Sequence, residues 1–218
     1  MSGEGRLAFG ALLVDYGGVM TTSISASFAA FCVESGVDPQ RFTSLVAQAY
    51  GADGHGGMIA QVERGALPAK DFERWLAEAL SEGRDVPLPA RRLRTRLFTG
   101  VRAEPRMRRA VRLARRAGRK TALISNTWGP PPAFRRPQLG RMFDAVVRSD
   151  EVGLRKPEPE IYLLAADRLE IAPQDCVFVD DLLANVEGAR AVGMEAVLHR
   201  HPDLTIPKLE QLLDIDLS

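Results

Sequence analysis

The sequence predicts a doubly wound, Rossmann-like α/β domain with an all-helical segment inserted into it. Three observations carry this. Short apolar, β-rich runs alternate with helical patterns, as in a parallel sheet covered on both faces. The alternation stops between Thr22 and Thr99, where helical patterns follow one another without a convincing strand. Several apolar runs also end abruptly in polar residues, as strands do where a doubly wound sheet presents its carboxyl ends to a crevice.

The elements follow in order. "ALLVDY" (11–16) reads as a buried strand. Helical patterns then occupy 24–36, 38–51, 58–65, 68–83 and 88–100, each punctuated by glycine or proline, with Asp38-Pro39 and Pro68 suited to helix starts. "PRMRRAVRLARRAG" (105–118) has apolar residues at Met107, Ala110, Val111 and Ala114 and a stop at Gly118. Further strands are expected at 120–125, 143–149, 175–181 and 195–199, and further helices at 157–170 and 183–193. The division is thus a core of residues 1–21 and 100–218 and a helical insert of residues 22–99. "GADGHGG" (51–57) reads as the most flexible stretch and "GPPPAFRRP" (129–137) as a stiff connector.

Bulk properties narrow the class. With 218 residues, 45% hydrophobic and 26% charged, the chain suits one sizeable soluble core with an insert. A net charge of +1 argues against a dedicated nucleic-acid or membrane surface. Four of the 29 basic residues are lysines, Lys70, Lys120, Lys156 and Lys208, so each is singled out easily among scattered arginines. No leader pattern or membrane-length apolar run is expected, and Cys32 and Cys176 read as buried free thiols of a reducing cytoplasm. The cap or arginine-rich helices offer a face for a homodimer.

The strand ends hold the chemistry. Asp15 follows "LLV"; Ser125, Asn126 and Thr127 follow "TALI"; Lys156 precedes Pro157; Asp180 and Asp181 follow "CVFV", with Asn185 four residues beyond. Adjacent strands would bring a carboxylate, a hydroxyl, an ammonium and an acidic pair to one crevice. Three carboxylates together stay ionised only beside a cation. Their hard oxygens suit Mg²⁺, which completes its shell with water and phosphate.

These motifs resemble the haloacid dehalogenase (HAD) superfamily. "VDYGGVMT", "LISNTWG", "VRSDEVGLRKPEPEIY" and "FVDDLLANVEGARAVGM" occur in order, and the insert occupies the family's cap position. The resemblance implies that Asp15 is a nucleophile forming an aspartyl-phosphate. It implies Mg²⁺ held by Asp15, Asp181 and the Gly17 backbone carbonyl, with Asp180 and Asn185 holding the metal's waters. Ser125 and Asn126 would hydrogen-bond the phosphoryl group, Gly18 would lie beside it, and Lys156 would offset its charge. The implied activity is Mg²⁺-dependent hydrolysis of a small phosphorylated metabolite, a sugar phosphate or an acyl phosphate.

One position departs from the pattern. The family's phosphatases usually carry a second aspartate two residues after the nucleophile, to protonate the leaving alcohol, and here that position is Gly17. General acid–base help is typically worth 10²–10⁴ in rate. Three other readings follow from its loss. One is a HAD-like binding or regulatory protein without turnover. Another is a metal-independent haloacid dehalogenase, against which the acidic pair argues. The third is a phosphonate hydrolase using Lys70. His55, beside Asp53, is a candidate substitute acid, and Trp128 either lines the pocket or packs the core.

Overall fold

The computed structural model describes residues 8–51, 56–128 and 139–217. Its centre is one five-stranded sheet, parallel throughout, in the order β3-β2-β1-β4-β5. The strands are β1 (Ala11–Val14), β2 (Lys120–Ser125), β3 (Ala145–Arg148), β4 (Cys176–Asp180) and β5 (Glu195–Leu198). The chain steps outward from β1 to β2 and β3, then returns to β4 on the other side. β1 is therefore the central strand and the place where the winding reverses, which is where such sheets bind ligands.

Strand alternation builds two cores. Leu12 and Val14 face one side, packed with Met107, Ala110, Val111 and Ala114 of α6 (Pro105–Arg116) and Leu209 and Leu213 of α10 (Pro202–Leu213). Ala11 and Leu13 face the other side, against Ile161, Tyr162 and Ala165 of α8 (Pro159–Leu169) and Val186 and Ala189 of α9 (Leu183–Ala191). Successive side chains point to opposite faces, so both faces of a wholly apolar strand are consumed.

The insert has its own core. Helices α1 (Ile24–Ser35), α2 (Pro39–Tyr50), α3 (Met58–Glu63), α4 (Ala69–Ser81) and α5 (Leu93–Leu97) pack around Phe31, Phe42, Ile59, Phe72, Leu76 and Leu93. Local sequence starts them. The Ser23 hydroxyl accepts from the Ala26 amide at 3.4 Å, and Asp38 accepts from the Arg41 amide at 2.7 Å with Pro39 as first helical residue. The insert leaves and rejoins the sheet through paired segments: the Thr22 amide donates to the Arg102 carbonyl at 2.8 Å and the Glu104 amide to that of Met20 at 2.9 Å.

The structure corrects several expected bounds. The helix expected over 88–100 is confined to Leu93–Leu97. Pro89 pushes the residue before it out of the helical region, and Arg92 adopts a left-handed conformation with φ of 58°. The "SDEVG" segment, read as strand end and loop, forms a short helix α7 (Ser149–Val152) ended by Gly153 at φ of 73°. α10 was not expected, because Pro207 lies inside it and interrupts the apolar pattern. Both cysteines are buried free thiols. No helix among the described residues is long and apolar enough to cross a membrane.

Candidate active site

The carboxyl ends of β1, β2 and β4, with the loop after β3, bring the expected residues together. Asp15 directly follows β1, and its amide donates to the Val179 carbonyl at 2.9 Å, continuing the ladder to β4. One strand over, Asp180 ends β4, and oxygens of Asp15, Asp180 and Asp181 lie within 4.8 Å of one another. Lys156 is buried among them at 1% exposure, its ammonium 2.5 Å from Asp15 Oδ1 and 2.6 Å from Asp180 Oδ2. It also donates to the Ile124 carbonyl at 3.1 Å.

Charge counting decides what else the site needs. Three carboxylates and one ammonium leave a formal charge of −2 when all are ionised. Burial raises Asp15 to about 7, with Lys156 pulling it down and Asp180 pushing it further up. Burial likewise raises Asp181 to about 6, and Asp180 adds to it. Burial by itself would lower Lys156, yet Asp15 and Asp180 override it and raise it. A single ammonium neutralises one carboxylate, and the site holds three. A divalent cation would satisfy the remainder, so this donor set fits Mg²⁺.

The carboxylates are not equivalent. Asp180 is fully buried and saturated: it accepts from Lys156, from the Leu182 amide at 2.9 Å, and from Asn185 Nδ2 at 3.0 and 3.1 Å. Asp15 Oδ2 takes no hydrogen bond from a described residue, and Asp181 is only partly buried. Asp15 and Asp181 are thus the carboxylates free to meet a ligand, and Asp180 with Asn185 is the frame behind them.

Other residues land in informative places. Ser125 is buried at the end of β2 and its hydroxyl has no hydrogen-bond partner among the described residues. The Asn126 side chain accepts from the Lys156 amide at 2.9 Å and donates to the Lys156 carbonyl at 3.0 Å. It holds the lysine's backbone. The Gly18 amide donates to the Thr21 hydroxyl at 3.2 Å, and Gly18 has φ of +83°. A Cβ there would stand 2.2 Å from Asp181 Oδ2, so glycine at 18 provides clearance for that carboxylate. At Gly17 a Cβ would meet Ile24 Cγ1 at 3.0 Å and lie 3.9 Å from Asp15 Oδ2.

Lys70 is exposed in the insert. Asp53, His55 and the 129–137 connector lie outside the described residues. Trp128 packs into the insert's core, with ring centroids 5.2 Å from Phe72 and 5.8 Å from Phe98. Two buried residues were missed in the sequence, Glu63 and Arg155, paired at 2.7 Å. A glutamate closing a short helix and an arginine beside the conspicuous lysine look like ordinary surface charges in sequence. Their one signal is adjacency to segments already singled out.

With the geometry in hand, comparison with known proteins is direct. A family model described as haloacid dehalogenase-like hydrolase matches residues 9–193. The chain belongs to the haloacid dehalogenase-like hydrolases. Among relatives of this HAD-like chain, "Bifunctional epoxide hydrolase 2" of Sus scrofa is 27% identical over 97% of the chain, which spans 40% of that relative's length. "Phosphorylated carbohydrates phosphatase" of Thermotoga maritima is 28% identical, covering 86% of this chain and 83% of its own. A HAD family enzyme of Bacteroides thetaiotaomicron, solved with magnesium and inorganic phosphate, shares the fold at a TM-score of 0.60, with 19% identity over 88% of this chain and 94% of its own.

Proposed function

We propose that this HAD-like hydrolase is a Mg²⁺-dependent phosphatase acting on a small phosphorylated metabolite, a sugar phosphate or acyl phosphate, through an aspartyl-phosphate on Asp15. The observation that carries the reading is the Lys156 bridge between Asp15 and Asp180, with Asp181 beside them and a formal charge of −2 left over. The relative named a phosphatase supports it, as does the structural neighbour solved with magnesium and inorganic phosphate.

The chemistry follows from the chain's own groups. Asp15, Asp181 and the Gly17 carbonyl would hold the Mg²⁺, which when bound neutralises the carboxylates and the incoming phosphate. Asp15 attacks phosphorus, the carboxylate-oxygen–phosphorus bond forms, and the bond to the leaving oxygen breaks. Lys156 stays charged at any physiological pH, held so by two carboxylates, and its buried ammonium orients Asp15 and offsets charge on the phosphoryl oxygens. The Ser125 hydroxyl, without a partner among the described residues, would donate to one of those oxygens. Water then attacks phosphorus, releasing phosphate and restoring Asp15. Because Gly17 supplies no acid, the leaving oxygen must depart with little protonation. That favours acyl phosphates and sugar 1-phosphates over simple alkyl phosphates.

The test is a panel of phosphorylated metabolites, with acetyl phosphate and p-nitrophenyl phosphate, assayed for phosphate release. Turnover should require Mg²⁺ and fall by roughly 10³-fold or more in Asp15→Asn, as expected for loss of a nucleophile. Absence of Mg²⁺-dependent release across the panel would overturn the reading.

A further inference from the structure

Glu63 is a carboxylate of the insert that ends inside the core. It closes α3 at 3% exposure and accepts three hydrogen bonds: from Arg155 Nε at 2.7 Å, Trp128 Nε1 at 3.2 Å and Asn126 Nδ2 at 3.4 Å. All three donors come from the segments after β2 and β3, the first following Ser125 directly and the second carrying Lys156. Arg155 is itself buried and lies over the Tyr50 ring, 5.7 Å from its centroid, at the end of α2. The neighbouring Arg64 pairs with Glu158 of the same core loop. At Gly65 the insert's backbone approaches α7 so closely that a Cβ would lie 2.4 Å from the Asp150 carbonyl oxygen.

The contact is reciprocal. While Glu63 enters the core, the core's Trp128 enters the insert, stacking on Phe28 at 5.9 Å and meeting Phe72 and Phe98 edge-on. The Trp128 carbonyl accepts from Arg94 of α5. Glu63 is thus linked through the Asn126 side chain to the backbone of Lys156, and through Lys156 to Asp15. The buried Glu63 carboxylate depends on Arg155 above all, because removing that guanidinium leaves an uncompensated buried charge.

We infer that Glu63 is a positioning residue: seating the helical insert through Glu63 sets the Ser125–Trp128 loop and the Arg155–Pro157 segment, so that Ser125 and Lys156 are presented to the site together. The turnover arm of its test rests on the phosphatase reading; the fluorescence arm does not.

The chain has two tryptophans, so Trp75→Phe leaves Trp128 as the sole reporter of docking. In that background Glu63→Ala should make Trp128 emission at least about twofold more quenchable by acrylamide. With p-nitrophenyl phosphate and saturating Mg²⁺ it should lower kcat by about tenfold or more, per folded molecule, and change KM less. A compensation pair guards against misfolding. Arg155→Met should be impaired on both readouts, and adding Glu63→Gln should restore most of each, since a neutral amide no longer needs the guanidinium. Unchanged quenching in Glu63→Ala would overturn the docking. Increased quenching with unchanged kcat, or a double variant no better than Arg155→Met alone, would overturn the positioning role.

Discussion

At the scale of single residues, two adjacent glycines carry different burdens. Gly18 sits in a left-handed conformation under the Asp181 carboxylate, where a Cβ would approach to 2.2 Å. Gly18→Ala should therefore displace Asp181 and weaken Mg²⁺ binding by about tenfold or more, measurable by titration calorimetry, with the circular dichroism spectrum unchanged. Gly17 has ordinary backbone geometry, and the obstacle to a side chain is Ile24, whose Cγ1 would stand 3.0 Å away. Gly17→Asp places a carboxyl within reach of Asp15 if Ile24 yields. Hydrolysis of alkyl phosphates should then rise toward the 10²–10⁴ that general acid catalysis supplies. Gly17→Asp with Ile24→Ala should gain more than Gly17→Asp alone. No gain in either would mean that the site has another acid or no room for this one.

At the scale of elements, the sheet was largely legible because each wholly buried strand is an unbroken apolar run. β1 and β4 also end where their first polar side chains appear, and the apolar run of β2, after Lys120 and Thr121, ends at Ser125, which points to Asp15, Ser125 and Asp180. α10 was hidden by Pro207, and α5 was overextended because its arginine-rich pattern hides the proline and left-handed Arg92 before it. The candidate site was legible as residue types, and the contacts among them were not. Asn126 and Gly18 belong to the site, yet the groups they engage, the Lys156 backbone and Asp181, are three-dimensional facts. Glu63 was illegible for the same reason: nothing local marks a carboxylate that finds its donors about 60 to 90 positions away. The insert's stability depends on its aromatic core. Phe72 is 1% exposed and touches both Trp75 and Trp128. Phe72→Ala should cost about 3–5 kcal/mol by denaturant unfolding, and a cost under about 1 kcal/mol would contradict the packing described.

At the scale of the whole molecule, charge is segregated along the strands. The acidic site lies at the carboxyl ends, while a cleft of about 650 Å³ at the opposite end of β2 is lined by arginines and Lys120. These cations end helices: Arg119 donates to the Leu213 carbonyl and Lys120 to that of Leu169, each at 2.6 Å, capping α10 and α8. Arg119 and Lys120 thus have a structural role at that end, and the near-neutral net charge conceals an acidic centre. That centre predicts a pH dependence. Burial places Asp15 near 7 and Asp181 near 6, above their ordinary value of 3.8. A carboxylate raised on folding holds its proton more tightly in the folded state. Its contribution therefore favours the metal-free fold at low pH and is lost as pH rises toward the folded value. Mg²⁺ bound at these carboxylates would displace those protons, so a rise in Tm on adding the ion should grow from pH 5.5 to pH 8. An increment independent of pH would mean that the ion does not bind at these carboxylates.

The most direct test of the central claim is to trap the intermediate. Enzyme turning over acetyl phosphate with Mg²⁺ is quenched in acid and reduced with borohydride, which converts an aspartyl-phosphate to homoserine, and the peptide carrying Asp15 is sequenced by mass spectrometry. The account predicts homoserine at position 15, dependent on Mg²⁺ and substrate. Mg²⁺-dependent turnover with no modification at that position, and with activity retained in Asp15→Asn, would contradict it.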